Sequence, residues 1–81
     1  MDRQELKIKI TDIASSVLGA DKERVSKEDL KTGDIEEWDS LGHIKLLFVI
    51  ENKLKIKFST KDMLRLDSIG KIIDRSLELL Q

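Results

Sequence analysis

Eighty-one residues, with 15 Lys+Arg against 16 Asp+Glu, give a formal charge of −1, and 40% of the side chains are hydrophobic. That apolar share supports a packed core, but at this length folding buries only about 60% of the unfolded surface, so the core is thin. No cysteine and a single histidine exclude a disulfide staple, a thiol nucleophile, a Cys-type zinc site and a multi-His metal centre. No apolar run reaches the roughly 18 residues of a membrane span, and MDRQELKIKI has no signal-peptide pattern. The expectation is one metal-free, cytoplasmic domain over residues 1–81.

The charge is unevenly spread. Residues 1–33 are balanced, residues 34–40 carry four acids (Asp34, Glu36, Glu37 and Asp39) and no base, and residues 41–81 have a net charge of +3. A basic C-terminal half can indicate nucleic acid, but a pI near 5.8 and three aromatic residues argue against it. Most of these lysines read as a solvated surface.

Along the chain, Leu6, Ile10, Ile13, Ala14 and Val17 fall on one face of a first helix ended by Gly19. Residues 19–38 form a long connection, with a helical turn expected near Ser26–Leu30, where Ser26 and Asp29 have capping-box spacing. A connection that long is uncommon in a small domain unless it has a function. Leu41–Leu54 follows, with Asp39 and Ser40 at its start. Leu46–Ile50 alone could be a strand, but the apolar spacing of Leu41, Ile44, Leu47, Phe48 and Leu54 extends over four helical turns. The apolar arc of this helix exceeds half a turn, which predicts a central helix packed on more than one neighbour. Its polar stripe carries Gly42, Lys45, Val49, Asn52 and Lys53, with Val49 a possible partner contact. Residues 59–66 fit a short helix capped by Ser59 or Thr60. Ile69, Ile72, Ile73, Leu77 and Leu80 mark a last helix capped by Asp67 or Ser68. The fold class is all-α: a bundle of three longer helices plus one short helix.

Ser40 and His43 lie one helical turn apart, which raises nucleophilic catalysis. There is no Gly-x-Ser-x-Gly elbow, and a bundle this small offers little room for a substrate cleft. Ser40 as helix N-cap with His43 at N3 is the simpler expectation. The hydroxyl at the head of the most hydrophobic helix can still face solvent, where free N–H groups and the helix dipole favour an attached phosphate. Leu41 beside it is an apolar anchor. Trp38, next to the acids, is expected to be partly buried because the indole has so much apolar area to cover.

The run Glu37-Trp38-Asp39-Ser40-Leu41-Gly42-His43 resembles the Asp-Ser-Leu signature of the acyl carrier protein family, in particular stand-alone bacterial carriers. The likeness spans essentially the whole chain, including Leu-Phe-Val-Ile-Glu-Asn-Lys-Leu and Lys-Ile-Lys-Phe-Ser after the signature. It implies a non-enzymatic carrier with a 4′-phosphopantetheine arm on Ser40, flanked by Asp39 and Leu41. A Mg²⁺-dependent phosphopantetheinyl transferase would install the arm from coenzyme A. Acyl-loading and acyl-transfer enzymes would be the further partners of a monomeric carrier that binds no nucleic acid and holds its acyl or aminoacyl cargo as a thioester. The resemblance also implies shelter for short or medium acyl chains, for which Ile44, Leu47, Phe48, Met63, Leu66 and Ile69 are the candidates, although each also reads as plain core. The sequence departs from typical fatty-acid carriers in charge. Lys45 and Lys53 interrupt what is usually an acidic stripe, leaving Asp39, Glu51 and the loop acids, which points to a dedicated pathway: secondary metabolism, polysaccharide modification or amino-acid loading. A helical adaptor using Val49 and the Leu46–Ile50 surface, without a prosthetic group, is the alternative.

Overall fold

The computed structural model describes all residues, 1–81. Five helices follow one another: α1 (Arg3–Leu18), α2 (Lys22–Val25), α3 (Ser40–Leu54), α4 (Thr60–Arg65) and α5 (Ile69–Leu80). The all-α bundle with three longer helices is as predicted, with an extra single-turn helix in the long connection. No helix is long and apolar enough to cross a membrane.

Local chemistry explains the helix limits. Asp2 caps α1 by accepting the Glu5 N–H at 2.8 Å, and Gly19 ends it in the left-handed region at φ 68°. Ser59 and Asp62 cap α4 reciprocally in a capping box, and Ser68 caps α5 by accepting the Lys71 N–H. The helical turn expected near Ser26–Leu30 lies earlier, and Lys27–Leu30 is a plain turn in which the Leu30 N–H donates to the Lys27 carbonyl at 3.0 Å. The helical turn is Lys22–Val25, and Ser26 closes it by donating its hydroxyl to the Glu23 carbonyl at 2.9 Å instead of opening a new one.

α1 is the central helix, packing on α2, α3 and α5. This corrects the expectation that α3 would be central. Leu6, Ile10 and Ala14 of α1 are fully buried with Leu46, Leu47 and Ile50 of α3 and Ile69, Ile72 and Ile73 of α5. α3 has more apolar arc than its neighbours can cover, so Leu41, Ile44 and Phe48 remain outside. Val49 is half-buried against the core and so is not the free contact its place on the polar stripe suggested.

The long connection is tied down along its length. Val25, Ile35 and Trp38 enter the core. Its backbone is held to the start of α5 by Gly70 N–H to the Glu28 carbonyl (2.9 Å), Ile69 N–H to Leu30 (3.1 Å) and Thr32 N–H to Asp67 (2.9 Å). A carboxylate adds a second tie. Glu28 accepts from Arg3 at 2.6 Å and Lys7 at 3.2 Å, while Arg3 also pairs with Asp74 at 2.9 Å. The Arg3 hydrogen bond holds the Glu28 carboxyl down at about 2, so it stays ionised in all but strong acid.

Glu51 corrects the surface expected for α3. It is buried, and its carboxylate accepts the Phe58 N–H at 2.7 Å, bracing the turn after α3, where Lys55 takes a left-handed conformation at φ 56°. Its charge therefore does not belong to an outward acidic stripe. Glu51→Ala would leave the buried Phe58 N–H without an acceptor and should destabilise the protein by about 1–3 kcal/mol. Glu51→Gln keeps an amide oxygen there and should lose less. Urea unfolding of the two variants measures the difference.

Candidate functional site

Ser40 is the first residue of α3, and the cap is Asp39, whose Oδ1 accepts the Gly42 N–H at 2.7 Å. Ser40 was expected to cap the helix itself. Either residue is a competent cap, and the chain turns one residue earlier, leaving Ser40 at N1 with an exposed side chain. Because Asp39 does the capping, the Ser40 hydroxyl is not needed to hold the helix end.

Moving the cap also shifts His43 from N3 to N4 and puts Trp38 at N′. These two positions meet across a helix start in a hydrophobic staple. Here the staple also has a polar bond. Trp38 is 0% exposed, and its indole N–H donates to His43 Nδ1 at 3.0 Å, with ring centroids 5.8 Å apart and ring planes tilted by 40°. Trp38 is thus buried completely, beyond the partial burial expected. Nδ1 accepts, so the proton of the neutral ring is assigned to Nε2. The Thr32 hydroxyl lies 3.4 Å from the same Nδ1. His43 therefore faces the loop and is no general base for Ser40.

Two close approaches complete the junction. The Gly33 N–H donates to the Trp38 carbonyl at 2.7 Å, closing the loop on itself. A Cβ on Gly42 would lie 2.8 Å from the Glu37 carbonyl oxygen and 3.1 Å from Leu18 Cδ2, so only glycine lets the first turn of α3 lie this close to the loop and the end of α1. Gly42→Ala should lose about 1–3 kcal/mol of stability through this overlap, read as a lower urea midpoint.

Around Ser40 the surface is apolar. Leu41 (61% exposed), Ile44 (56%) and Phe48 (61%) follow one another at i, i+3 and i+7 on a single face of α3, with Leu64 of α4 also bare at 81%. The six residues expected to surround an acyl pocket are divided. Leu47, Leu66 and Ile69 are core, whereas Ile44, Phe48 and Met63 are exposed, because α3 turns Leu46, Leu47 and Ile50 towards the core. They do not enclose a common cavity. The largest surface cleft, about 500 Å³ between α4 and α5, is lined by charged groups including Lys61, Arg65 and Arg75, and none of the clefts is lined by Ser40, Ile44 or Phe48.

The charges nearby are mostly engaged. Asp39 is the cap, Glu37 meets Arg24 at 3.4 Å and Asp34 accepts the Lys31 N–H at 2.8 Å. Lys45 is exposed one turn after Leu41, while Lys53 lies by a separate cleft with Lys9 and Asp12 of α1. The two lysines do not form one patch.

No family model matches the chain. Among curated proteins, the acyl carrier protein of Chlorobium phaeovibrioides is 27% identical over 74 residues, covering 91% of this chain and 94% of that protein. The chain is thus similar to an acyl carrier protein along nearly its whole length. Members of this family generally carry phosphopantetheine, and the junction fits such a group. The serine hydroxyl is exposed, is not consumed by the cap, and stands at the positive end of a 15-residue helix.

Burial pushes the His43 imidazole below its ordinary 6.5, against the opposing pull of the Met63 carbonyl and Asp67. Below 6.5 the unfolded chain takes up the proton more readily than the folded one. The stabilisation from the neutral ring is therefore complete above that pH and is lost as pH falls through the folded value. The stability difference between wild type and His43→Asn, which does not titrate, should shift against wild type on going from about pH 7.5 to about pH 5 in urea titrations.

Proposed function

We propose that this chain is a single-domain carrier that holds an acyl or aminoacyl group as a thioester on a phosphopantetheine arm at Ser40, and that it is not itself a catalyst. The observation that carries this reading is the placement of Ser40: an exposed hydroxyl at the first position of α3, released from capping by Asp39 and bordered by the outward Leu41. The similarity to an acyl carrier protein along nearly the whole chain supports it.

The roles then divide among the chain's own residues. Ser40 Oγ is the attachment atom: it forms the bond to phosphorus as the phosphoanhydride bond of coenzyme A breaks, its proton leaves, and adenosine bisphosphate departs. Asp39 keeps the helix end closed without using that hydroxyl. Leu41 supplies apolar contact area beside it. When bound, the arm supplies a terminal thiol, which this cysteine-free chain lacks. The partners are a phosphopantetheinyl transferase and the enzymes that load and remove the cargo, met by a monomeric carrier in the cytoplasm.

Intact mass after incubation with coenzyme A, Mg²⁺ and a broad-specificity phosphopantetheinyl transferase tests the reading. One added phosphopantetheine on the Ser40 peptide is expected, and none on Ser40→Ala. Because Ser40 is not the cap, Ser40→Ala should change stability by no more than about 0.5 kcal/mol. An unmodified wild type would favour the adaptor.

A dedicated pathway is supported by the charge of the exposed α3 face. With Glu51 buried, Lys45 stands among Leu41, Ile44 and Phe48 without an acidic side chain from later in the helix to offset it. An enzyme that recognises an acidic helix would be repelled there, chiefly in its association rate. Lys45→Glu should speed loading by a housekeeping fatty-synthesis enzyme at low salt, and the gain should shrink as salt screens exposed charges. Lys53→Glu, on the α1 side, should have a smaller effect. Initial rates at two salt concentrations provide the comparison.

A further inference from the structure

The junction that carries Ser40 contains a polar bond that the carrier role does not by itself require. We propose that His43 is a positioning residue for modification of Ser40: by accepting the Trp38 indole N–H it holds the loop against the first turn of α3 in the arrangement a transferase engages, and protonation releases that hold. The proposal rests on the carrier reading above.

The geometry leaves the pair little freedom. Trp38 has no solvent exposure, so its N–H cannot turn to water, and Nδ1 at 3.0 Å is its acceptor. Adding a proton to Nδ1 would set two N–H donors face to face at that distance, so the protonated ring and the indole must separate. The backbone ties both residues to the serine. The His43 N–H donates to the Asp39 carbonyl at 2.8 Å, and the Trp38 carbonyl closes the loop on Gly33. Ser40 therefore sits between the two residues of the latch.

The groups facing His43 set when it opens. From its own helix start comes Asp39, committed to Gly42; from the loop come the uncharged Thr32 and Trp38; from α4 comes the Met63 carbonyl; and from the α4–α5 link comes Asp67, paired with Lys71 at 3.0 Å. The acid that pulls on the ring, Asp67, already has its own cation in Lys71, so it does little to hold a second positive charge on His43. Opening is expected in mildly acidic solution.

Three variants separate this role from plain packing. His43→Asn offers an amide oxygen where Nδ1 stands and does not titrate, His43→Leu keeps bulk without an acceptor, and Trp38→Phe removes the donor together with part of the buried ring. With coenzyme A, Mg²⁺ and a broad-specificity phosphopantetheinyl transferase, His43→Leu should lose about three- to tenfold in kcat/KM for the carrier, the range one lost buried hydrogen bond produces. The loss should fall mainly on KM, because the competent junction becomes a smaller fraction of the free carrier. His43→Asn should recover the rate to within about twofold. The ratio of wild-type to His43→Asn rates, which cancels the transferase's own titration, should fall between about pH 7.5 and about pH 5.5. Over the same range Trp38 emission should change in wild type and stay flat in His43→Asn. Should His43→Leu lose its helical circular dichroism, Trp38→Phe carries the same rate comparison.

A folded His43→Leu modified as efficiently as wild type, or a rate ratio flat with pH, overturns the proposal and leaves the carrier reading intact. A wild type that gains no mass at any pH overturns both.

Discussion

Everything near Ser40 depends on the burial of one indole. Trp38 brings more apolar area than any other side chain in the protein, and in this fold it can be buried only where the long connection meets α3. Once it is there, its single N–H must find an acceptor away from water, and His43 provides one a turn into the helix. That pairing fixes the register of the first turn, which puts Asp39 at the cap and Ser40 just beyond it. Gly42 is then required because the turn has been drawn against the Glu37 carbonyl.

The division of labour among the helices follows from supply and demand of apolar surface. α1 is buried along its inner face by three partners, whereas α3 has more apolar arc than α1 and α5 can cover. The uncovered remainder is not scattered. It forms a continuous stripe, Leu41 to Phe48, starting beside the Ser40 hydroxyl. A contiguous apolar stripe on a small domain is the kind of surface that marks contact with other molecules. The same rotation that exposes this stripe draws Glu51 inward, and so changes the electrostatics of the helix as well as its packing.

Helix existence and most boundaries were legible because each rests on local chemistry: the apolar periodicity of Leu6 to Val17, Gly19 beyond it, Ser59 with Asp62, and Ser68 before Ile69. What could not be read locally was rotation and burial. Asp39 and Ser40 are equally good caps, and only the Trp38–His43 contact chooses between them, although their spacing of five residues is the staple signature. Glu51 looked like surface because carboxylates usually are, but its acceptor role depends on Phe58, seven residues away in the turn. Ile44, Leu47, Phe48 and Val49 could not be sorted for one reason: a helix with apolar residues around most of its circumference gives no unique inward face, so tertiary contacts decide it. The exposed hydroxyl of Ser40 was legible as a position, and its release from capping was not.

The central place of α1 has a bearing on how the chain acquires its structure. α1 is synthesised before the helices that pack on it: the surfaces that cover its inner face arrive with α3 and α5, and Arg3 waits for Asp74, 71 residues later. Until then Leu6 and Ile10 have no partners in the finished core, and the nascent helix must stay frayed or shielded. Contacts of such separation are the slow, topology-limited part of folding, since loop closure precedes any gain from them. The core that α1 centres is therefore complete only once α5 is present.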